Sequence, residues 1–130
     1  MLDVVIMSSD GYSDCWHPFY MLKDRYWSNC PYKTYMVTET KNCEYFDTIK
    51  KQGAWTKRLR EALQELDSEY VLLMLEDYFI HSKVDIKRIE QCLNDIKLTN
   101  AIVYNFEFKY RQGVELNNRY DIQLNNQHYL

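Results

Sequence analysis

The chain has 130 residues, 46% of them hydrophobic and 27% charged. That is enough apolar material for one domain burying roughly two-thirds of its unfolded surface, so neither disorder nor a disulfide-stapled miniprotein is called for. Sixteen Lys and Arg against 19 Asp and Glu leave a net charge of −3, which offers no basic field to a nucleic-acid backbone and argues against nucleic acid as a ligand.

The longest apolar run, Tyr70 to Leu75, is far short of the ~20 residues that cross a bilayer, so no transmembrane segment is expected. Met1-Leu2-Asp3 has neither the positive stretch nor the apolar core of a secretory leader, which predicts a cytoplasmic protein with reduced thiols. Cys15, Cys30, Cys43 and Cys92 stand too far apart for a CxxC-type zinc site and read as structural thiols.

In chain order, Asp3 to Met7 is an apolar, β-branched run stopping at Ser8-Ser9-Asp10-Gly11, the pattern of a buried strand entering a loop. Asp14 is a candidate N-cap for a helix to about Tyr26, with Trp16, Phe19, Leu22 and Tyr26 on one side. Tyr32 to Thr38 reads as a second strand, left at Glu39-Thr40-Lys41-Asn42, whereas Cys43 to Lys51 is ambiguous. Gly53 precedes the clearest helix, Ala54 to Leu66, where Leu59, Ala62, Leu63 and Leu66 recur at helical spacing. Tyr70 to Leu75 is apolar on both faces and is expected to be a central strand. Asp85 caps a predicted helix striped by Ile86, Ile89, Leu93 and Ile96, followed by a strand from Ala101 to Phe108. From Lys109 onward asparagines interrupt every run and no element is expected.

Alternating strands and helices predict an α/β fold, a three-layer α/β/α sandwich around a mostly parallel sheet. It would occupy residues 1–108, with 109–130 an irregular tail or the start of a further half. Ligands of such sheets collect at the carboxyl ends of the strands, where three polar clusters fall. Ser8-Ser9-Asp10-Gly11-Tyr12 follows the first strand and offers hydroxyls, a carboxylate and close backbone approach, suited to a base, ribose or phosphate; a plain turn is the other reading. Glu39 follows the second strand, and Glu76-Asp77 ends the run from Tyr70. Hard oxygens with few protein contacts suit Mg²⁺ or Mn²⁺ carried in by a diphosphate, and a strand end turning polar is the plainer alternative. Trp55, at the start of the best helix, either lines the cleft or packs.

The opening VVIMSSDGY, the GAW-T-K-RL helix and LLMLEDYFI, in that order, resemble bacterial GT-A-fold glycosyltransferases of capsule and surface-polysaccharide clusters, over roughly Asp3 to Phe108. The resemblance implies a nucleoside-diphosphate sugar as donor and a glycan or lipid-linked acceptor, in the cytoplasm at the inner face of the membrane. It implies nucleotide-sugar contacts from Ser8, Ser9, Asp10, Tyr12, Glu39 and Arg58, to which the reading of the residues themselves adds Trp55 and Glu76 as candidates. Asp77 matches the last carboxylate of the family's DxD motif and would contact the divalent ion, while Leu75 stands where the first Asp belongs. Enzymes of this type continue into an acceptor-binding half that usually supplies the catalytic base, so this chain resembles a truncated transferase or one completed by a partner chain. No catalytic residue is assigned, although Asp121 and His128 are late candidates for proton transfer. A non-catalytic α/β nucleotide-binding or protein-interaction module, homo-oligomeric or held by a partner chain, is the rival reading.

Overall fold

The computed structural model describes residues 1–104, with side chains through Val103, and the backbone of two further strands, Val114–Glu115 and Asp121–Leu124. Its contacts divide into two compact units, Met1–Val84 and Asp85–Leu130.

The first unit is built on β1 (Leu2–Met7), whose six residues are all buried. β-Branched residues suit such a strand because they pack on both sides of the pleat. A short 3₁₀ helix (Asp10–Cys15) leads into α1 (Trp16–Trp27), followed by β2 (Thr34–Thr38), β3 (Asp47–Lys50), α2 (Trp55–Leu63) and β4 (Tyr70–Leu75). The sheet order is β3-β2-β1-β4, with every pair parallel. Val4 lies opposite Thr34 on one side and Leu72 on the other, which fixes the register at the middle of the sheet. α2 lays Leu59 and Ala62, with Leu66 beyond its end, over Val5, Met7, Val37, Ile49, Val71 and Leu75. Phe19 of α1 meets Phe46 edge-on at 6.1 Å, and Tyr20 stacks on Tyr45 at 4.9 Å. The segment joining β2 to β3 therefore packs through its aromatic residues on α1.

In the second unit, α3 (Ile86–Thr99) starts at Asp85, whose side chain accepts from the Arg88 amide at 3.4 Å. It ends at Asn100, in the left-handed region at φ 51°. Asn tolerates that conformation better than branched residues do. β5 (Ala101–Tyr104) and β6 (Val114–Glu115) each pair antiparallel with β7 (Asp121–Leu124).

The α/β class and the mostly parallel sheet agree with the sequence, with three corrections. Among the described strands β1 is central and β4 lies at an edge, where Leu73 is 44% exposed. Apolar residues on both faces do not separate a middle strand from an edge one. Second, β5 belongs to the antiparallel sheet instead of extending the parallel one, and residues 105–108 of the expected strand lie outside the described residues. Third, the ambiguous stretch holds β3, and β6 and β7 fall where no element is expected.

Candidate functional site

From β1 the chain moves through β2 to β3 on one side of the sheet, then returns as β4 on the other side of β1. That reversal of direction marks the carboxyl ends of β1 and β4 as the position where open α/β sheets bind ligands. Met7 pairs with Leu75, so Ser8 and Glu76 begin neighbouring loops at that edge.

Arg58 enters from the first turn of α2. Helical side chains lean toward the helix amino end, which carries this guanidinium to the tip of β1. It is only 5% exposed; Nη1 donates to the Ser8 carbonyl at 2.7 Å and Nη2 stands 3.8 Å from Glu39 Oε1. Its Nε is buried without a hydrogen-bond partner. The same turn carries Lys57 and no acid, so α2 begins with two cations at the positive end of its dipole. Their anionic partners come from outside that turn, Glu39 beside Arg58 and Glu61, 3.5 Å from Lys57 Nζ.

Glu76, 9% exposed, is the acid that sits among these groups. Burial pushes its carboxyl above the ordinary carboxylate range and the neighbouring charge of Asp77 adds to this, while its own amide and the Arg58 charge pull the other way. The Cys15 thiol is raised as well, first by burial and then by the charges of Asp14, Glu76 and Asp77. Loops after β1 and β4 thus share one acidic neighbourhood.

On the β2 side, the Asp10 carboxylate accepts from the amides of Glu39 at 3.2 Å and of Thr40 and Lys41 at 3.1 Å, and from the Thr40 hydroxyl. The Thr40 hydroxyl, with the three amides, outweighs partial desolvation and holds this carboxyl down at about 2 against an ordinary 3.8. Glu39 returns the contact by accepting from the Asp10 amide. Lys41 Nζ donates to the Asp10 carbonyl at 3.1 Å and to Ser13 Oγ at 2.9 Å. The Ser8 hydroxyl accepts from Trp16 Nε1 at 2.8 Å and is itself buried.

The structure therefore brings Ser8, Asp10, Glu39, Arg58 and Glu76 together at the sheet's carboxyl edge. Ser9 is half-buried beside them. Tyr12, Trp55 and Asp77 are exposed, and no hydrogen bond or ion pair among the described residues ties their side chains to this network. Of the acidic pair, Glu76 is turned inward and Asp77 outward. Thr40, Lys41 and Trp16 take part without having been singled out from sequence: the first two are legible only as a polar strand exit, and Trp16 only as part of a helix face. Among the described residues no three His, Cys, Asp or Glu converge as a ready-made ion site. An open hollow of about 380 Å³ lies elsewhere, along α2 at Thr56, Leu59, Arg60, Leu63 and Gln64.

Comparison with family models, with curated proteins and with solved structures finds no match to this chain.

Proposed function

We propose that the chain is the nucleotide-sugar-binding part of a GT-A-type glycosyltransferase, built as a three-layer α/β/α unit and acting in surface-polysaccharide synthesis. The observation that supports this best is a buried arginine with a free Nε, set between Glu39 and Glu76 where the strand order reverses. Arg58 would face the donor's diphosphate, and exposed Tyr12 and Trp55 would stack on its base or sugar.

The rim is acidic, with Asp14, Glu39, Glu76 and Asp77 around one buried arginine, so a bare diphosphate meets repulsion there. A divalent ion bound to the phosphates removes it. Asp77, exposed at the rim, is the residue that would hold Mg²⁺ or Mn²⁺; such ions keep several waters and need only one or two protein carboxylates when phosphates supply the rest. When bound, the ion would neutralise charge on the departing diphosphate. The acceptor would be a glycan or lipid-linked sugar at the cytoplasmic face of the membrane; no helix among the described residues is long and apolar enough to cross it.

Isothermal titration with a panel of nucleoside diphosphates and their sugars, with and without Mn²⁺, tests the proposal. Binding in the micromolar range that weakens at least tenfold in Asp77→Ala when Mn²⁺ is present is the expected result. Absence of heat from the wild type in both conditions removes it. Exposed Leu73, Tyr78 and Phe79 on β4 and its following turn favour the second reading, a non-catalytic module that holds a partner chain or another copy of itself. Light scattering separates the two: a concentration-dependent oligomer without nucleotide affinity supports the module.

A further inference from the structure

The Asp10 carboxylate presents roughly four acceptor positions on its two oxygens. Amides of Glu39, Thr40 and Lys41 and the Thr40 hydroxyl occupy them, all from a turn about thirty residues away in the chain. Nothing is left over for a ribose hydroxyl or a base. The same turn is gripped from two further directions, by Glu39 accepting from the Asp10 amide and by Lys41 reaching the Asp10 carbonyl and Ser13. A carboxylate holding consecutive backbone amides is a rigid device, since each amide is fixed by the next peptide plane. Glu39, the residue whose other oxygen faces Arg58, is the first residue of the turn so held.

We propose that Asp10 is a positioning residue and not a ligand contact: it fastens the Glu39–Lys41 turn to the end of β1, and thereby sets Glu39 and the buried Arg58 for the ligand. The fastening closes the edge between the loops after β1 and β2. A ligand then reaches Arg58 from the β4 side, past Glu76 and Asp77. The part of the inference that concerns a ligand rests on the nucleotide-sugar reading; the fastening itself does not.

The test uses the whole chain as wild type, Asp10→Asn, Thr40→Val and the double variant. Amide hydrogen exchange of Glu39, Thr40 and Lys41 is followed by NMR at neutral pH, and affinity for the nucleoside diphosphate that binds the wild type is measured by titration calorimetry. Each single variant is expected to speed exchange of these amides at least tenfold and to weaken binding about three- to tenfold. The double variant is expected to be no worse than the poorer single one, because both remove the same fastening. If Asp10→Asn weakens binding while exchange at 39–41 is unchanged, Asp10 touches the ligand and the proposal is overturned. Additive losses in the double variant overturn it too, as does unchanged exchange in both singles. Thr40→Val tests the fastening even where Asp10→Asn does not fold. Faster exchange in variants of a wild type that binds no nucleotide leaves the fastening standing and sinks the nucleotide-sugar reading with the ligand half of the inference.

Discussion

Arg58 ties the amino end of α2 to Ser8, the first residue after β1, and to the turn after β2. Replacing it by Met leaves the Ser8 carbonyl without its donor and removes the positive charge that acts on the buried Glu76. A loss of about 1–3 kcal/mol in urea unfolding is expected, the cost of orphaning a buried acceptor, and, on the proposed function, a loss of nucleotide affinity with it. A variant as stable as wild type would show that the guanidinium is not a structural tie. Glu76 adds a pH dependence of known sign. Its carboxyl titrates higher in the folded chain than the ordinary 4.5, so the native state holds the proton longer and stability falls as pH rises above that value. Glu76→Gln should flatten this decline and exceed wild type in urea midpoint at pH 7; an identical midpoint-versus-pH curve contradicts it. Asp10 works in the opposite direction. Held at about 2 instead of 3.8, it contributes stability above the higher value that disappears as pH drops through the lower one. In Asp10→Asn that part of the acid unfolding profile should be missing.

At the level of elements, α3 shows what side-chain chemistry alone can specify. Asp85 is its N-cap, and Asp85→Ala should cost about 1 kcal/mol in thermal or urea unfolding, with an unchanged transition counting against the cap. That cap was legible in the sequence, as were β1, β2, α2 and β4, because each announces itself within a dozen residues through period, punctuation or capping. Asp14 was not a cap: the chain runs through a 3₁₀ turn first, and α1 begins at Trp16 without any side-chain cap. Gly53, with φ at 101°, marks the entry to α2 as its position before the helix suggested. What the sequence concealed is pairing. Nothing local to Tyr70–Leu75 says that only β1 lies beside it among the described strands, and nothing local to Ala101 says that its partner runs antiparallel. The candidate site divides in the same way. Its residues stand out singly at strand ends, but the partnership of Asp10 with Thr40 and of Arg58 with Ser8 exists only once distant segments meet. Asp121 was likewise visible as a residue, yet its side chain and His128 lie outside the described residues.

For the molecule as a whole, the modest net charge and the exposed Leu73 of β4, with Tyr78 and Phe79 just beyond it, point to self-association as a property to measure. An apolar edge strand invites pairing with another chain, and a lysine on it is a common deterrent. Leu73→Lys is expected to lower the apparent mass in light scattering at high concentration while leaving the circular dichroism spectrum intact. A wild type that stays monomeric at every concentration removes the premise.

The placement of β1 has one more consequence, for the order of events at the ribosome. Its two neighbours are made late, the nearer about thirty residues after it and β4 more than sixty, since Leu2 waits for Tyr70. At roughly 5–20 residues per second, this hydrophobic segment of the nascent polypeptide goes without its second neighbour for about 3–14 s of translation. During that interval it is a natural client for a chaperone at the exit tunnel, and slowing synthesis ahead of Tyr70 should raise the yield of insoluble product.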